Sequence, residues 1–272
     1  MKSKDVVPGV FSRHAVAYRE RLKDAAARGE TRSRVKTLER LAVRPGERVL
    51  DLGCGPGTLT LPLVEAAGAS GLVVGVDLAH GMLVLARAGA APPPLLAQMD
   101  LERLAFRDGA FDAVACGHSL HFCPDLPGAL AEAHRVLRRG GRFAASVPMS
   151  VPRRWRLLDD VLDELAPPAP ELADLQETRQ LLADAPRLRD ALLAAGFGTA
   201  AVERVKEVAS YSGPEELVSK TMSWWAFAWR LESLSEVEQR RVHSHALRRL
   251  RERVGDGPLE IPSSSLVMFA LA

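Results

Sequence analysis

The residues best suited to chemistry begin at position 48, in the run RVLDLGCGPGTLTL. An apolar stretch ends in Asp51, and Gly53, Gly55 and Gly57 then alternate with Cys54 and Pro56 before Thr58. Glycines clustered after an apolar run weaken local structure, so their use is to let a ligand come close to the backbone. A dinucleotide site would space them G-x-G-x-x-G and aim backbone N–H groups at a pyrophosphate. Here the spacing is G-x-G-x-G, Thr58 follows the last glycine, and Pro56 removes one N–H. The loop therefore suits a ligand without phosphates. Further on, LVVGVD ends in Asp77, whose carboxylate can accept hydrogen bonds from both hydroxyls of a ribose. AQMD then ends in Asp100, placed to meet the exocyclic amine of an adenine. Glycine loop and acids at successive strand ends point together to a nucleoside.

A second group of candidates lies in CGHSLHFC, where Cys116, His118, His121 and Cys123 fall at spacings open to a zinc site. No partner cluster occurs elsewhere in the sequence, and we expect no metal. Cys54 reads as a small apolar filler. His121 is the candidate general base, because histidine titrates in the useful range and this loop follows a strand end. His14, His243 and His245 read as exposed or helix-packing residues, and the basic run from Arg240 to Arg253 as the solvated face of a helix.

These residues need elements to hold them. Residues 46–149 alternate β-prone runs (ERVLDL, LVVGVD, PLLAQMD, AFDAVAC, RFAASV) with helical patterns (TLPLVEAAG, MLVLARAGA, GALAEAHRVLRRGG). That rhythm means parallel strands with crossover helices, and ligands of such sheets bind at the carboxyl ends of the strands. Residues 1–45 carry charged helical patterns. Beyond 150 the chain is mostly helical (RRWRLLDDVLDELA, APRLRDALLAAG, and a long stretch from Pro214 to Val254), with β-prone runs at AAVERVKEVASY and SSSLVMFALA. APPAPE at 166–171 reads as a rigid turn between helices. The 272 residues, 47% hydrophobic and 26% charged with net charge +2, give no electrostatic footprint for nucleic acid or an anionic membrane. Three cysteines form no disulfide framework, no run of 18 apolar residues occurs, and MKSKDVVPGV lacks the apolar core of a signal peptide. A cytoplasmic location is the default expectation.

The segments VLDLGCGPGTLTL, VVGVDLAHGML, AQMDLERLAFRDGAFDAVACGHSLHFCPD and ALAEAHRVLRRGGRFAASVP resemble the class I S-adenosylmethionine-dependent methyltransferases, of the type-11 group that includes ubiquinone and menaquinone biosynthesis enzymes. The resemblance covers residues 48–149. It implies an α/β, Rossmann-like seven-stranded sheet in the order 3-2-1-4-5-7-6, with strand 7 antiparallel and a helical cap. The late β-prone runs, 199–209 and 263–272, would be strands six and seven. A single domain over 1–272 is expected: a cofactor-binding core at 46–149, completed by 186–209 and 262–272, under a helical cap formed by 1–45, 150–185 and 210–255. Carried over by position, Asp51 and Gly53 would lie by the methionine moiety, and Gly55 and Gly57 would let the nucleoside approach. Asp77 with Leu78 would bind the ribose. Met82 would pack near the adenine, Asp100 and the backbone of Leu101 would read its edge, and Gly117 and His118 would line the methionine tail. Tyr18 resembles an aromatic that closes over the cofactor. The resemblance also explains CGHSLHFC as a strand end plus loop.

The resemblance implies methyl transfer from S-adenosylmethionine, with S-adenosylhomocysteine as product, to the oxygen or carbon of a small acceptor such as a quinol, phenol or secondary metabolite. His121, Trp224 and Trp225 are expected beside that acceptor, with packing of the cap core as the alternative for the tryptophans in SWWAFAW. A cyclase that holds the cofactor structurally is a second reading. A nucleic-acid methyltransferase is a third, opposed by the near-neutral charge and by HSLHFCPD, which lacks an N/D-P-P-Y/F motif. A monomer and a homodimer are both compatible with the sequence.

Overall fold

The computed structural model describes residues 1–89, 94–149, 158–168 and 171–272. Three helices lead: α1 (Ser3–Arg13), α2 (Ala15–Ala27) and α3 (Arg32–Leu41). The alternating segment that follows gives β1 (Arg48–Leu52), α4 (Thr60–Ala67), β2 (Leu72–Asp77), α5 (His80–Ala88), β3 (Leu95–Gln98) and β4 (Phe111–Gly117). After these come α6 (Leu126–Val136) and β5 (Leu137–Pro148). The later helices are α7 (Asp159–Leu165), α8 (Gln176–Leu182) and α9 (Ala185–Ala194). Then β6 (Thr199–Tyr211) precedes α10 (Pro214–Met222), α11 (Trp225–Leu231), α12 (Glu236–Val254) and the final strand β7 (Leu259–Leu271).

The strands form one sheet in the order β3-β2-β1-β4-β5-β7-β6. β1 to β5 are parallel, and β7 runs antiparallel to both neighbours, as the resemblance implies. Strand periodicity of two divides the apolar side chains between the sheet's faces. Leu50, Leu52, Val114 and Cys116 meet Leu126 and Leu130 of α6 and Leu188 and Leu192 of α9. Val49, Ala113 and Ala115 meet Leu41 of α3 and Leu59 and Leu63 beside and within α4. Asp51 shares the parity of Val49, which buries its carboxylate on the α3–α4 side at 1% exposure. A third apolar cluster joins α7, α10, α11 and α12 through Leu162, Val218, Leu231 and Leu250.

Some elements differ from the sequence expectation. The helix expected through RRGG stops at Val136, because Leu137 is extended (φ −77°, ψ 138°) and pairs with Phe111. The register then jumps to Ala113 opposite Arg142, and Gly140 at φ 72° makes the turn inside that irregularity. β6 and β7 are longer than expected, paired without a break from Thr199–Leu271 to Tyr211–Leu259. The first residues of RRWRLLDDVLDELA, and Ala169 and Pro170 of APPAPE, lie outside the described residues.

Candidate functional site

The glycine loop leaves β1 at the carboxyl edge of the sheet. Gly53 sits at φ 61°, and a Cβ there would collide with Ser119, whose Oγ donates to the Gly53 carbonyl at 2.9 Å. Gly55, at φ 53°, would meet nothing within 4 Å, so its bare face is open to the cleft. Its N–H donates to Asp77 Oδ2 at 2.9 Å, and the Ala79 N–H donates to Oδ1 at 2.8 Å. Burial raises the Asp77 pKa, and those backbone bonds oppose the rise. The loop and the end of β2 thus fix one carboxylate with lone pairs left for a ligand.

Asp51 receives Thr60 Oγ1 on Oδ2 at 2.6 Å, while Oδ1 has no partner among the described residues. Burial pushes its pKa up to about 7, against the Thr60 hydrogen bond. Arg34 of α3 is buried at 7% exposure and lines the same cavity. At the other end, Lys4 Nζ donates to Asp100 Oδ2 at 2.7 Å and also to Glu102, and the Glu102 N–H donates to Asp100 Oδ1 at 3.0 Å.

One cavity, with about 900 Å³ of space free of protein atoms and partly open to solvent, joins these groups. Its floor is Asp51, Gly53 and Gly55 from the first loop, Asp77 and Leu78 from the second, and Asp100 and Leu101 from the third. Met82 of α5, Tyr18 of α2, and Gly117 and His118 after β4 also line it. Of the residues expected around a cofactor, Gly57 alone stays off this wall. A Cβ at Gly57 would meet Leu61 at 3.4 Å and Ala86 at 3.6 Å, so that glycine serves the packing of α4 against α5.

The residues expected beside the acceptor fall differently. His121 is absent from the cavity wall. Its ring lies 4.0 Å from that of Phe122, and its Nδ1 is buried without a partner among the described residues. Leu120–Phe122 form a single 3-10 turn, in which positions three apart eclipse. Ser119 and Phe122 accordingly share the cavity face, and His121 is turned away from it. Burial, with Arg179 and Arg34 adding to it, pushes His121 down to about 3. Trp224 and Trp225 stand one ring behind the wall. Trp224 packs on Tyr18 at 5.6 Å, and Trp225 on Phe11 at 5.4 Å and Phe122 at 5.1 Å. Val7, Pro8 and Phe11 of α1 supply the apolar wall where Trp224 and Trp225 were expected. His118 does face the cavity. It holds a left-handed φ of 59°, its N–H donates to the Ser146 carbonyl at 2.9 Å, and its Nε2 lies 3.1 Å from Ser33 Oγ. Burial, then Arg34 and His121, push its pKa well below 6.5, so the ring is neutral.

Similarity to known proteins extends over the segment that holds most of these residues. Residues 50–145 match the family model described as a methyltransferase domain. That matched segment is a methyltransferase domain of the type-11 group. The chain is 36% identical over 177 residues to nocamycin O-methyltransferase of Saccharothrix syringae, covering 60% of this chain and 63% of that protein. It is 35% identical over 144 residues to 2-phytyl-1,4-naphtoquinone methyltransferase of Nostoc punctiforme, covering 51% and 62%. The chain thus spans less than two thirds of the length of these curated relatives. In fold it is similar to the YcgJ protein of Bacillus subtilis, with a TM-score of 0.53 at 18% identity over 88% of this chain and 97% of that one. It is similar also to a SAM-dependent methyltransferase of Thermotoga maritima, with a TM-score of 0.53 at 17% identity over 97% and 98%.

The sequence reading missed two cations at the cavity, Lys4 and Arg34, besides the apolar wall of α1. A signal existed for Arg34. Ser33, Arg34, Thr37 and Leu41 share the buried face of α3, and a cation on a buried helical face asks for an anionic neighbour or ligand. Among the described residues no group of three or more His, Cys, Asp or Glu is placed to hold a metal, and Cys54, Cys116 and Cys123 are free and buried. No described helix is long and apolar enough to cross a membrane.

Proposed function

We propose that the cavity binds S-adenosylmethionine and that the protein transfers its methyl group to an oxygen or carbon of a small-molecule acceptor. The observation that carries this reading is a cavity lined by a fixed carboxylate, Asp77, an open glycine, Gly55, and two buried groups of opposite charge type, the Asp51 carboxyl and the Arg34 guanidinium. A nucleoside bearing a zwitterionic tail is the ligand whose charges match that arrangement. The fit is local as well: among the described residues, Asp51 Oδ1 is a buried acceptor without a partner, and nothing fills the space that a Cβ on Gly55 would take.

In this reading Asp77 holds the ribose hydroxyls, Asp100 accepts from the adenine amine, and Met82 packs on the base. Asp51 meets the ammonium of the tail and Arg34 its carboxylate. When bound, S-adenosylmethionine supplies a methyl group activated by a sulfonium. The protein's part is to hold the reacting groups in line and keep water out, which accounts for much of the acceleration in such displacements. Phe11 and Phe122 form the apolar side of the chamber, the ring of Trp225 braces them, and that of Trp224 braces Tyr18. His121 stands off the cavity, and we give it no role in proton transfer. The names of the two curated relatives, a nocamycin O-methyltransferase and a 2-phytyl-1,4-naphtoquinone methyltransferase, support an acceptor of the secondary-metabolite or quinol kind.

Incubation with methyl-labelled S-adenosylmethionine and a panel of quinol, phenol and polyketide-like acceptors tests the proposal. The expected outcome is a product heavier by one methyl, formed in step with S-adenosylhomocysteine. A product isomeric with its substrate, formed without cofactor consumption, would replace this reading with the cyclase.

A further inference from the structure

Beyond the cavity wall, a buried polar chain runs from the sheet's edge to the site. Glu207 lies on β6, the edge strand, yet is only 6% exposed. Its Oε1 accepts the Ser33 N–H at 2.8 Å, and its Oε2 accepts Ser265 Oγ at 3.2 Å. Ser33 Oγ is in turn 3.1 Å from His118 Nε2. Ser33 and Arg34 are adjacent in the first turn of α3, so one turn of helix carries both the hydroxyl that meets His118 and the cation of the cleft.

The first turn of α3 needs an outside anion. A helix start leaves N–H donors unsatisfied and favours negative charge, but Thr31 at the N-cap makes no side-chain bond and the turn holds no acid. Arg32 and Arg34 there add charge of the wrong sign. Glu207 supplies the missing carboxylate from another element. Four residues earlier on the same strand, Glu203 pairs with Arg40 through two bonds of 2.9 and 3.0 Å, so β6 grips α3 at both ends. His118 holds a left-handed backbone that a residue with a Cβ adopts at a cost, which persists only when its surroundings fix it.

We propose that Glu207 is a positioning residue for the amino-acid end of the cofactor: it fixes the first turn of α3, from which Ser33 orients His118 and Arg34 enters the cleft. The inference rests on the cofactor reading above. It assigns a role to a residue outside the matched domain segment and outside the cavity wall.

Two ligands separate positioning from general support. S-Adenosylhomocysteine has the amino-acid tail, and 5′-methylthioadenosine shares the nucleoside and thioether without it. In calorimetric titrations, Glu207→Ala should weaken S-adenosylhomocysteine by about tenfold or more, the scale of a lost charge-assisted hydrogen bond, and leave methylthioadenosine within about twofold. Glu207→Gln retains an acceptor for the Ser33 N–H and should recover most of the loss. Ser33→Ala keeps the backbone bond to Glu207 and removes only the hydroxyl at His118. It should weaken S-adenosylhomocysteine selectively, and it serves as the decisive variant if Glu207→Ala does not fold. Parallel losses for both ligands, or no loss in Glu207→Ala and Ser33→Ala, would overturn the inference alone. Wild-type protein that binds neither ligand would overturn the cofactor reading and the inference with it.

Discussion

At the scale of single residues, the site is a problem of buried charge. Asp51 has one oxygen on Thr60 and one without a described partner, and burial lifts its pKa from 3.8 to about 7. A carboxyl whose folded pKa is raised holds more protons in the native state than in the unfolded one between those two values. Its contribution to stability is therefore present below about 4 and is lost as pH rises towards about 7. A ligand ammonium beside Asp51 reverses the preference, because it favours the carboxylate. Affinity for S-adenosylhomocysteine should accordingly rise with pH up to about 7 and then level off, with a proton released on binding. Asp51→Asn should bind more weakly and show no such rise, and calorimetry in two buffers of different ionisation enthalpy reads both effects. A wild-type affinity that is flat between pH 5.5 and about 8 would remove Asp51 from the binding charge set. These acids were legible in the sequence because each ends a β-prone run, and chain order alone places strand ends along one edge. Arg34 left only its place on one helical face with Thr37 and Leu41 as a sign, since its position on the wall depends on how α3 docks across four strands far from it in sequence. His121 was misplaced because one 3-10 turn decides which of three consecutive residues faces inward.

At the scale of elements, α1 is the part whose role the sequence concealed. Its composition announces only a charged helix, yet it forms one wall of the chamber. A close approach makes that possible. A Cβ on Gly81, in the first turn of α5, would lie 2.6 Å from the Ser12 carbonyl oxygen, and the Gly81 N–H donates to Ser12 Oγ at 3.2 Å. Gly81→Ala should therefore push α1 off α5, since the contacting atoms are backbone and cannot rotate away. The expected result is weaker S-adenosylhomocysteine binding with the sheet intact, read as a loss of affinity alongside an unchanged far-ultraviolet circular dichroism spectrum. Affinity equal to wild type would mean that α1 is no part of the binding wall. The parallel alternation of strand and helix was readable from apolar runs separated by helical patterns, whereas the strand order came from the family resemblance. The ends of β5, β6 and β7 were not readable, since pairing with a neighbour and not local propensity sets where they stop.

At the scale of the whole molecule, α1 also ties together segments far apart in the chain. Ser3 donates to Asp174 Oδ2 from both N–H and Oγ, at 2.7 and 2.9 Å, and Arg13 makes two bonds of 3.0 Å to Glu232 beyond α11. Lys4 meanwhile reaches Asp100 at the end of the third strand loop. A ligand seated under this strap contacts elements from both ends of the chain's first half, so its binding should stabilise the fold as one unit. At about 100 times Kd the gain is about 2.7 kcal/mol, visible as a rise in Tm. The measurement that tests the account most directly is a calorimetric titration of S-adenosylhomocysteine into the wild type and into Asp77→Ala, with NAD as the competing candidate. The account predicts one site per wild-type chain, a loss of about 1.5–3 kcal/mol in Asp77→Ala from the missing ribose hydrogen bonds, and no binding of NAD. Failure of the wild type to bind S-adenosylhomocysteine, or tighter binding of NAD, would contradict it.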